Sequence, residues 1–199
     1  MQKLLIATTN AAKLAEYKKH LADLPIELVS LKDAGLEAVE ETGETFEENA
    51  LLKARAYAAQ SKLPTLADDG GLEIESLGGE PGVRSHRWVG DRDNTDEELI
   101  GEVLRRMKDV VPEQRAAQMR VVIALRVNDT EHIAEGITEG SIAEEVGPHE
   151  PGFPYRALLY VPRYNKLYSE LTPKEHEEVN QRVKALKMLK SIIRELLCS

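Results

Sequence analysis

The spacing of hydrophobic positions changes several times along the chain, and each change marks an element. Residues 3–8 (KLLIAT) are an apolar run of strand length, and 10–22 then carries Leu14, Tyr17 and Leu21 at helical spacing. This predicts a strand, a polar turn and a helix. Residues 26–30 read as a second strand, followed by an acidic stretch, AVEETGET. Residues 45–60 predict a helix, because Thr45 and Glu48 have capping-box spacing and Phe46, Ala50, Leu51 and Ala54 give it an apolar face. Residues 63–67 form a short strand candidate leading into an acidic turn, LADDGG, and 72–77 resume with alternating character.

Residues 93–107 predict a second capped helix, with Thr95 and Glu98 as its box. Residues 118–127 and 131–142 read as long strands joined by a turn at Asn128, Asp129 and Thr130. Thr172, Pro173 and Glu175 open one long C-terminal helix running toward Leu197. Glycine and proline clusters at 78–82 and 147–154 read as loops. Strands and helices mixed in this order predict an α/β fold around a mixed sheet. With no repeat, low-complexity tract or linker, residues 1–199 read as a single domain.

Charge and cysteine content narrow the function. A net charge of −9 argues against nucleic-acid polymers, which need a basic face to displace counterions from phosphates. A small phosphorylated substrate stays open, since local cations and bound metal can reverse the field in a cleft. Cys198 is the single cysteine, so neither an intrachain disulfide nor a cysteine-rich zinc site can form, which suits a reducing compartment. No stretch approaches the ~20 apolar residues of a membrane span. The expected location is the cytoplasm.

Three segments could carry chemistry. TTNAAK (8–13) places hydroxyls, an amide and Lys13 at a strand-to-helix junction, which suits either a phosphate cradle or an ordinary helix cap with a solvent lysine. EETGETFEENALLKA (40–54) crowds Glu40, Glu41, Glu44, Glu47 and Glu48 at a helix start, where the macrodipole alone favours anions. Asn49 and Lys53 are spaced i and i+4, so one face could present an amide and a cation together. In ADDGGLEIESLGGEPGVRSHRW (67–88), Asp68 and Asp69 could divide metal binding and water activation, or could form a plain acidic turn. Magnesium fits the first alternative, because it takes hard oxygen ligands and usually only one or two protein carboxylates.

Taken together and in order, these segments resemble the inosine triphosphate pyrophosphatase family, house-cleaning enzymes that act on non-standard purine nucleoside triphosphates. PGFPYRALLYVP (151–162), YNKLYSELTPKE (164–175) and NQRVKAL (180–186) sit where that family has its base-binding segments and final helix. The resemblance implies an elongated central mixed β-sheet flanked by helices, two lobes with an active-site cleft between them, and usually a homodimer. It implies Mg2+-dependent hydrolysis of a nucleoside triphosphate to the monophosphate and pyrophosphate. Carried over by position, Thr8, Thr9, Asn10, Lys13, Asn49 and Lys53 would face the triphosphate. Glu41 and Asp69 would hold metal, and Asp69 would ready the water, with Asp68 beside it. Arg182 matches an arginine near the base.

The departures from the family pattern are concentrated in base recognition. Gly70 stands where the family has a serine, and its phenylalanine-glycine-tyrosine-aspartate motif is here Phe153, Pro154, Tyr155 and Arg156. Its serine-histidine-arginine is Asn180, Gln181 and Arg182, and His176 takes the place of a lysine. Phe153 and Tyr155 keep an aromatic shelf. Hydrolysis is therefore expected to persist with base preference shifted from inosine and xanthosine triphosphates; the rival readings are an enzyme of related architecture for another substrate class, such as a modified pyrimidine triphosphate, and a weakened member that binds nucleotide or regulates. His20, His132 and His149 lack metal-ligand spacing; His86 and Arg87 could line a cleft, and Trp88 could pack or touch substrate. Leu186, Leu189, Ile192, Ile193 and Leu196 read as core or dimer-contact positions.

Overall fold

The computed structural model describes residues 2–90 and 92–198. Its seven-stranded mixed sheet runs in the order β2-β1-β3-β4-β5-β6-β7. The strands are β1 (Gln2–Ala7), β2 (Ile26–Ser30), β3 (Thr65–Ile74), β4 (Ala116–Val127), β5 (Thr130–Ile142), β6 (Leu159–Val161) and β7 (Lys166–Leu167). β1 pairs in parallel with β2 and β3, whereas β5, β6 and β7 are antiparallel. The helices are α1 (Ala11–His20), α2 (Phe46–Ser61), α3 (Asp96–Met107), α4 (Pro173–Val179) and α5 (Gln181–Leu197). The predicted capping boxes of Thr45 with Glu48 and Thr95 with Glu98 both form, and Thr172 forms a further one with Glu175 at the predicted helix start.

Two compact units emerge. The first takes residues up to 69, 121–136 and those from 182 onward; the second takes 70–120 and 137–181. Each has its own core. Leu4, Ile6, Tyr17 and Leu66 pack with Ile123, Leu125, Leu186, Leu189 and Ile193 in the first, and Ile192 packs partly against them. Leu72, Trp88, Leu99, Val103, Leu158 and Tyr168 pack in the second. Trp88 is therefore a core residue, whose indole N–H donates to Glu80. Leu196, predicted with the other apolar residues of α5, is 40 % exposed.

Three expectations need correction. Asp68 to Gly71 do not form a turn: they continue β3, which is aligned on β1 with Ala67 opposite Ala7. Ion pairs replace water around the two acids, so burial in a strand is tolerated. The C-terminal helix is two helices, because Asn180 leaves helical geometry at ψ 118° and separates α4 from α5. β6 and β7 lay unseen in segments read for chemistry, since strands of 3 and 2 residues show no alternation. Gly78, Gly79 and Gly82 have the positive φ that their loop requires.

Candidate active site

In the first unit, parallel pairing ends with Ala7, the last residue of β1, opposite Ala67, so Asp68 and Asp69 continue β3 just past the C-terminal end of β1, the kind of end at which open α/β sheets bind ligands. Asn10 caps α1, its side-chain oxygen accepting from the N–H groups of Ala12 (2.9 Å) and Lys13 (3.1 Å). Thr8 Oγ1 accepts from Asn10 N at 3.2 Å, and Thr9 is exposed. The capping alternative thus holds for Asn10, but Lys13 is no solvent lysine. Its Nζ lies 3.2 Å from Oδ2 of buried Asp68.

Successive side chains of a strand point to opposite faces, and Asp68 and Asp69 accordingly have different partners. Asp68 Oδ2 also accepts from Arg182 at 3.2 Å, and Arg182 donates to Glu16 at 2.6 Å. Asp69 Oδ2 accepts from Asn49 Nδ2 at 3.0 Å. One turn further along α2, Lys53 Nζ lies 2.9 Å from Glu41 and 3.7 Å from Asp69. The predicted i, i+4 pair of amide and cation does face one carboxylate. Asn49 is fixed in turn by Gly43, whose N–H donates to Asn49 Oδ1 at 2.8 Å.

The two acids titrate in opposite directions. Burial alone would raise Asp68, but Lys13, Arg182 and Lys53 outweigh it and hold the carboxyl far below the usual range. Burial raises Asp69, Lys53 offsets only part of this, and Glu41 adds to the rise. Burial would lower Lys53, yet Asp69, Glu41 and Asp68 drive it up, so it stays charged. Tyr17, fully buried, is pushed well up by burial and then by Asp68.

Among the described residues, no group of three or more His, Cys, Asp or Glu could hold a metal by itself. Glu41 and Asp69 nevertheless suit a hard cation that keeps waters and phosphate oxygens as its other ligands. They share one lysine, and the cluster sets four carboxylates (Glu16, Glu41, Asp68, Asp69) against three cations (Lys13, Lys53, Arg182).

In the second unit, His176, Gln181 and Arg156 meet at a tyrosine that sequence reasoning had not singled out. Tyr168 is fully buried; its ring meets that of His176 edge-on at 5.0 Å, and its hydroxyl is 3.5 Å from Gln181 Oε1. Gln181 Oε1 also accepts from Thr138 Oγ1 at 3.1 Å. Arg156, only 3 % exposed, sets its guanidinium carbon 3.5 Å from the centre of the Phe153 ring and 5.3 Å from that of Tyr168. Its NH1 donates to Glu150 at 2.8 Å. Pro154 and Tyr155 are buried in a one-turn helix, and the Tyr155 hydroxyl donates to the Ser85 carbonyl at 2.5 Å. Tyr155, expected beside Phe153 in a two-ring shelf, is therefore a core tether.

Gly70 and Gly71 stay in the strand, and a Cβ on Gly71 would meet Ser85 Oγ at 1.8 Å. His86 is exposed, and His149 pairs with Asp96 at 2.8 Å. Glu16, Tyr17, Glu150 and Tyr168 were missed as site residues. Glu16 had a detectable signal, lying one helical turn beyond Lys13 on the same face.

These features define an α/β protein with acids and lysines converging where the parallel pairing of β1 and β3 stops, a class of site suited to polyanionic ligands. The chain belongs to the Ham1 family, whose model matches residues 4–192. It is 38% identical to the dITP/XTP pyrophosphatase of Coxiella burnetii, with 98% of both chains covered. It is 39% identical to the protein of the same name from Escherichia coli (strain K12), covering 98% of this chain and 99% of that one. The solved structure of a HAM1 protein from Coxiella burnetii superposes with a TM-score of 0.87 at 38% identity, over 98% of this chain and 100% of the other.

Proposed function

We propose that this chain hydrolyses a non-standard or modified nucleoside triphosphate to the monophosphate and pyrophosphate, with Mg2+ bound by Glu41 and Asp69. Family membership makes it a nucleoside triphosphate pyrophosphatase, a hydrolase like its curated relatives. The observation that carries the finer reading is the placement of Asp69 on Asn49 and Lys53 beside Glu41. The Asp69 carboxylate, oriented by the Asn49 amide, takes the proton of a water that attacks the α-phosphorus. Lys13 and Lys53 neutralise charge that builds on the phosphate oxygens and on departing pyrophosphate. Asp68 keeps Lys13 and Arg182 in place. When bound, the divalent cation adds further neutralisation and aligns the phosphates.

Arg156 supports a base preference shifted from inosine and xanthosine triphosphates, because it stands at the position of the family pattern's aspartate and sets a cation on the Phe153 ring. A panel of standard and modified nucleoside triphosphates, assayed with Mg2+ and with separation of monophosphate from other products, tests the reading. Absence of monophosphate from every substrate refutes hydrolysis; a wide preference for inosine or xanthosine triphosphate refutes the shift. The same reading takes the chain as a homodimer, measurable by light scattering.

A further inference from the structure

Residues 150–156 form two successive tight turns. Phe153 N donates to the Glu150 carbonyl at 3.0 Å, and Arg156 N donates to the Phe153 carbonyl at 3.2 Å. Side chains three residues apart in such turns fall on one side, which brings Glu150, Phe153 and Arg156 together. The guanidinium then lies 3.5 Å from the centre of the Phe153 ring, within the stacking distance of an aromatic base. A planar cation and a planar base compete for that space.

We propose that Arg156 is a built-in occupant of the base-stacking position: its guanidinium covers Phe153, Glu150 holds it there, and a base stacks on that face only by displacing it. The inference rests on the reading above that Phe153 belongs to a nucleobase subsite. Three features carry it. Arg156 is 3 % exposed although charged, so its guanidinium fills a slot in the fold. The slot has aromatic walls, with Tyr168 completing the contact at 5.3 Å. The anchor lies at the rim, since the Glu150 side chain is 54% exposed, so Arg156 can exchange its carboxylate for water as it swings out. Glu150 and Arg156 thereby become specificity-determining residues: together they set how strongly a base must stack to enter.

The test is calorimetric titration of the full chain, its Arg156→Ala variant and its Glu150→Gln variant with inosine monophosphate and with inorganic tripolyphosphate. Arg156→Ala is expected to bind the nucleotide about three- to tenfold more tightly, the worth of one cation–π contact and one rim ion pair. Glu150→Gln moves the same way by less. Tripolyphosphate has no ring to stack and gains affinity in neither variant. Glu150 is exposed enough for its variant to keep the fold, so an unstable Arg156→Ala leaves the test intact. The NMR signal of Arg156 Nε–H adds a direct readout: ring-shifted upfield in the free protein, it returns toward its ordinary position on nucleotide binding. Weaker or equal nucleotide binding in the variants overturns the proposal while leaving hydrolysis untouched. Binding by Arg156→Ala alone supports the proposal and leaves wild-type hydrolysis to the substrate panel. Failure of all three proteins to bind inosine monophosphate overturns the proposal and leaves hydrolysis to be decided by the substrate panel.

Discussion

Asp68 and Asp69 are consecutive residues of one strand with opposite acidities. The alternation of β3 gives Asp68 two cations of its own and leaves Asp69 sharing Lys53 with Glu41. Like charges on neighbouring residues are tolerable because they lie on different faces with different counterions. Their removal should therefore have opposite consequences for stability. In chelator at neutral pH, Asp69→Asn removes a carboxylate whose charged form the fold disfavours, and the melting temperature should rise. Asp68→Asn strands Lys13, leaves Arg182 to Glu16 alone, and should cost about 3–5 kcal/mol, the usual penalty for breaking a buried pair. Thermal melts of both variants check this; equal destabilisation would falsify the division of labour. Turnover of Asp69→Asn should fall by at least about 10²-fold, the scale of a lost general base.

Lys53 occupies the position a cation would share with Glu41 and Asp69. Lys53→Met leaves two carboxylates facing each other without it. Its melting temperature without metal should drop below that of the wild type, and added Mg2+ should recover more stability in the variant than it adds to the wild type. Turnover should nevertheless fall, because the substrate loses a cation. A Mg2+-dependent shift no larger than the wild type's would remove Glu41 and Asp69 as the metal pair.

Away from the site, Arg55 on α2 grips Glu131 on β5 through two hydrogen bonds of 2.8 and 2.7 Å, and Arg126 adds a third at 2.5 Å. Arg55 first, and Arg126 after it, hold the Glu131 carboxyl down at about 2 against the opposing effect of burial. A depressed folded value means the stabilisation is fully present above the unfolded value near ~4.3 and is lost as pH falls toward 2. The difference in stability between wild type and Glu131→Gln, followed by denaturant titration, should be constant above about pH 5 and shrink on acidification. At neutral pH it should stay near 1 kcal/mol or below, roughly the worth of a solvent-accessible network.

Much of this was legible in the sequence because it depends on local chemistry. Three capping boxes fixed helix starts, and apolar runs fixed β1, β2, β4 and β5. Asp68-Asp69-Gly70-Gly71 misled because those residue types favour turns in isolation, whereas here pairing with β1 and ion pairs across the chain override propensity. Arg182 was singled out by resemblance alone, and its partners were not legible: the break at Asn180 starts α5 so that it grips Asp68 and Glu16. No local pattern encodes that choice. Tyr168 and Glu150 stayed hidden for a similar reason: their importance comes from Arg156, which reaches both.

Gly43 links the backbone to the acid in one step. It precedes α2, and its N–H and carbonyl both contact the Asn49 amide, which holds Asp69. A Cβ there would lie 2.7 Å from Asn49 Oδ1, 2.7 Å from Glu48 Cβ and 3.0 Å from Asn49 N. Two of these three atoms belong to the helix start and one to the side chain that orients the acid, so none can yield without moving the site or its support. Gly43→Ala should therefore cost about 1–3 kcal/mol through overpacking. It should also lower kcat, because Asn49 can no longer hold Asp69 at 3.0 Å. Gly101→Ala, on α3 with nothing within 4 Å of an added Cβ, provides the contrast, with stability equal to or above that of the wild type from improved helix propensity. Parallel melts and steady-state kinetics of the two variants decide the matter: if Gly43→Ala keeps wild-type kcat, Asn49 does not position the catalytic carboxylate.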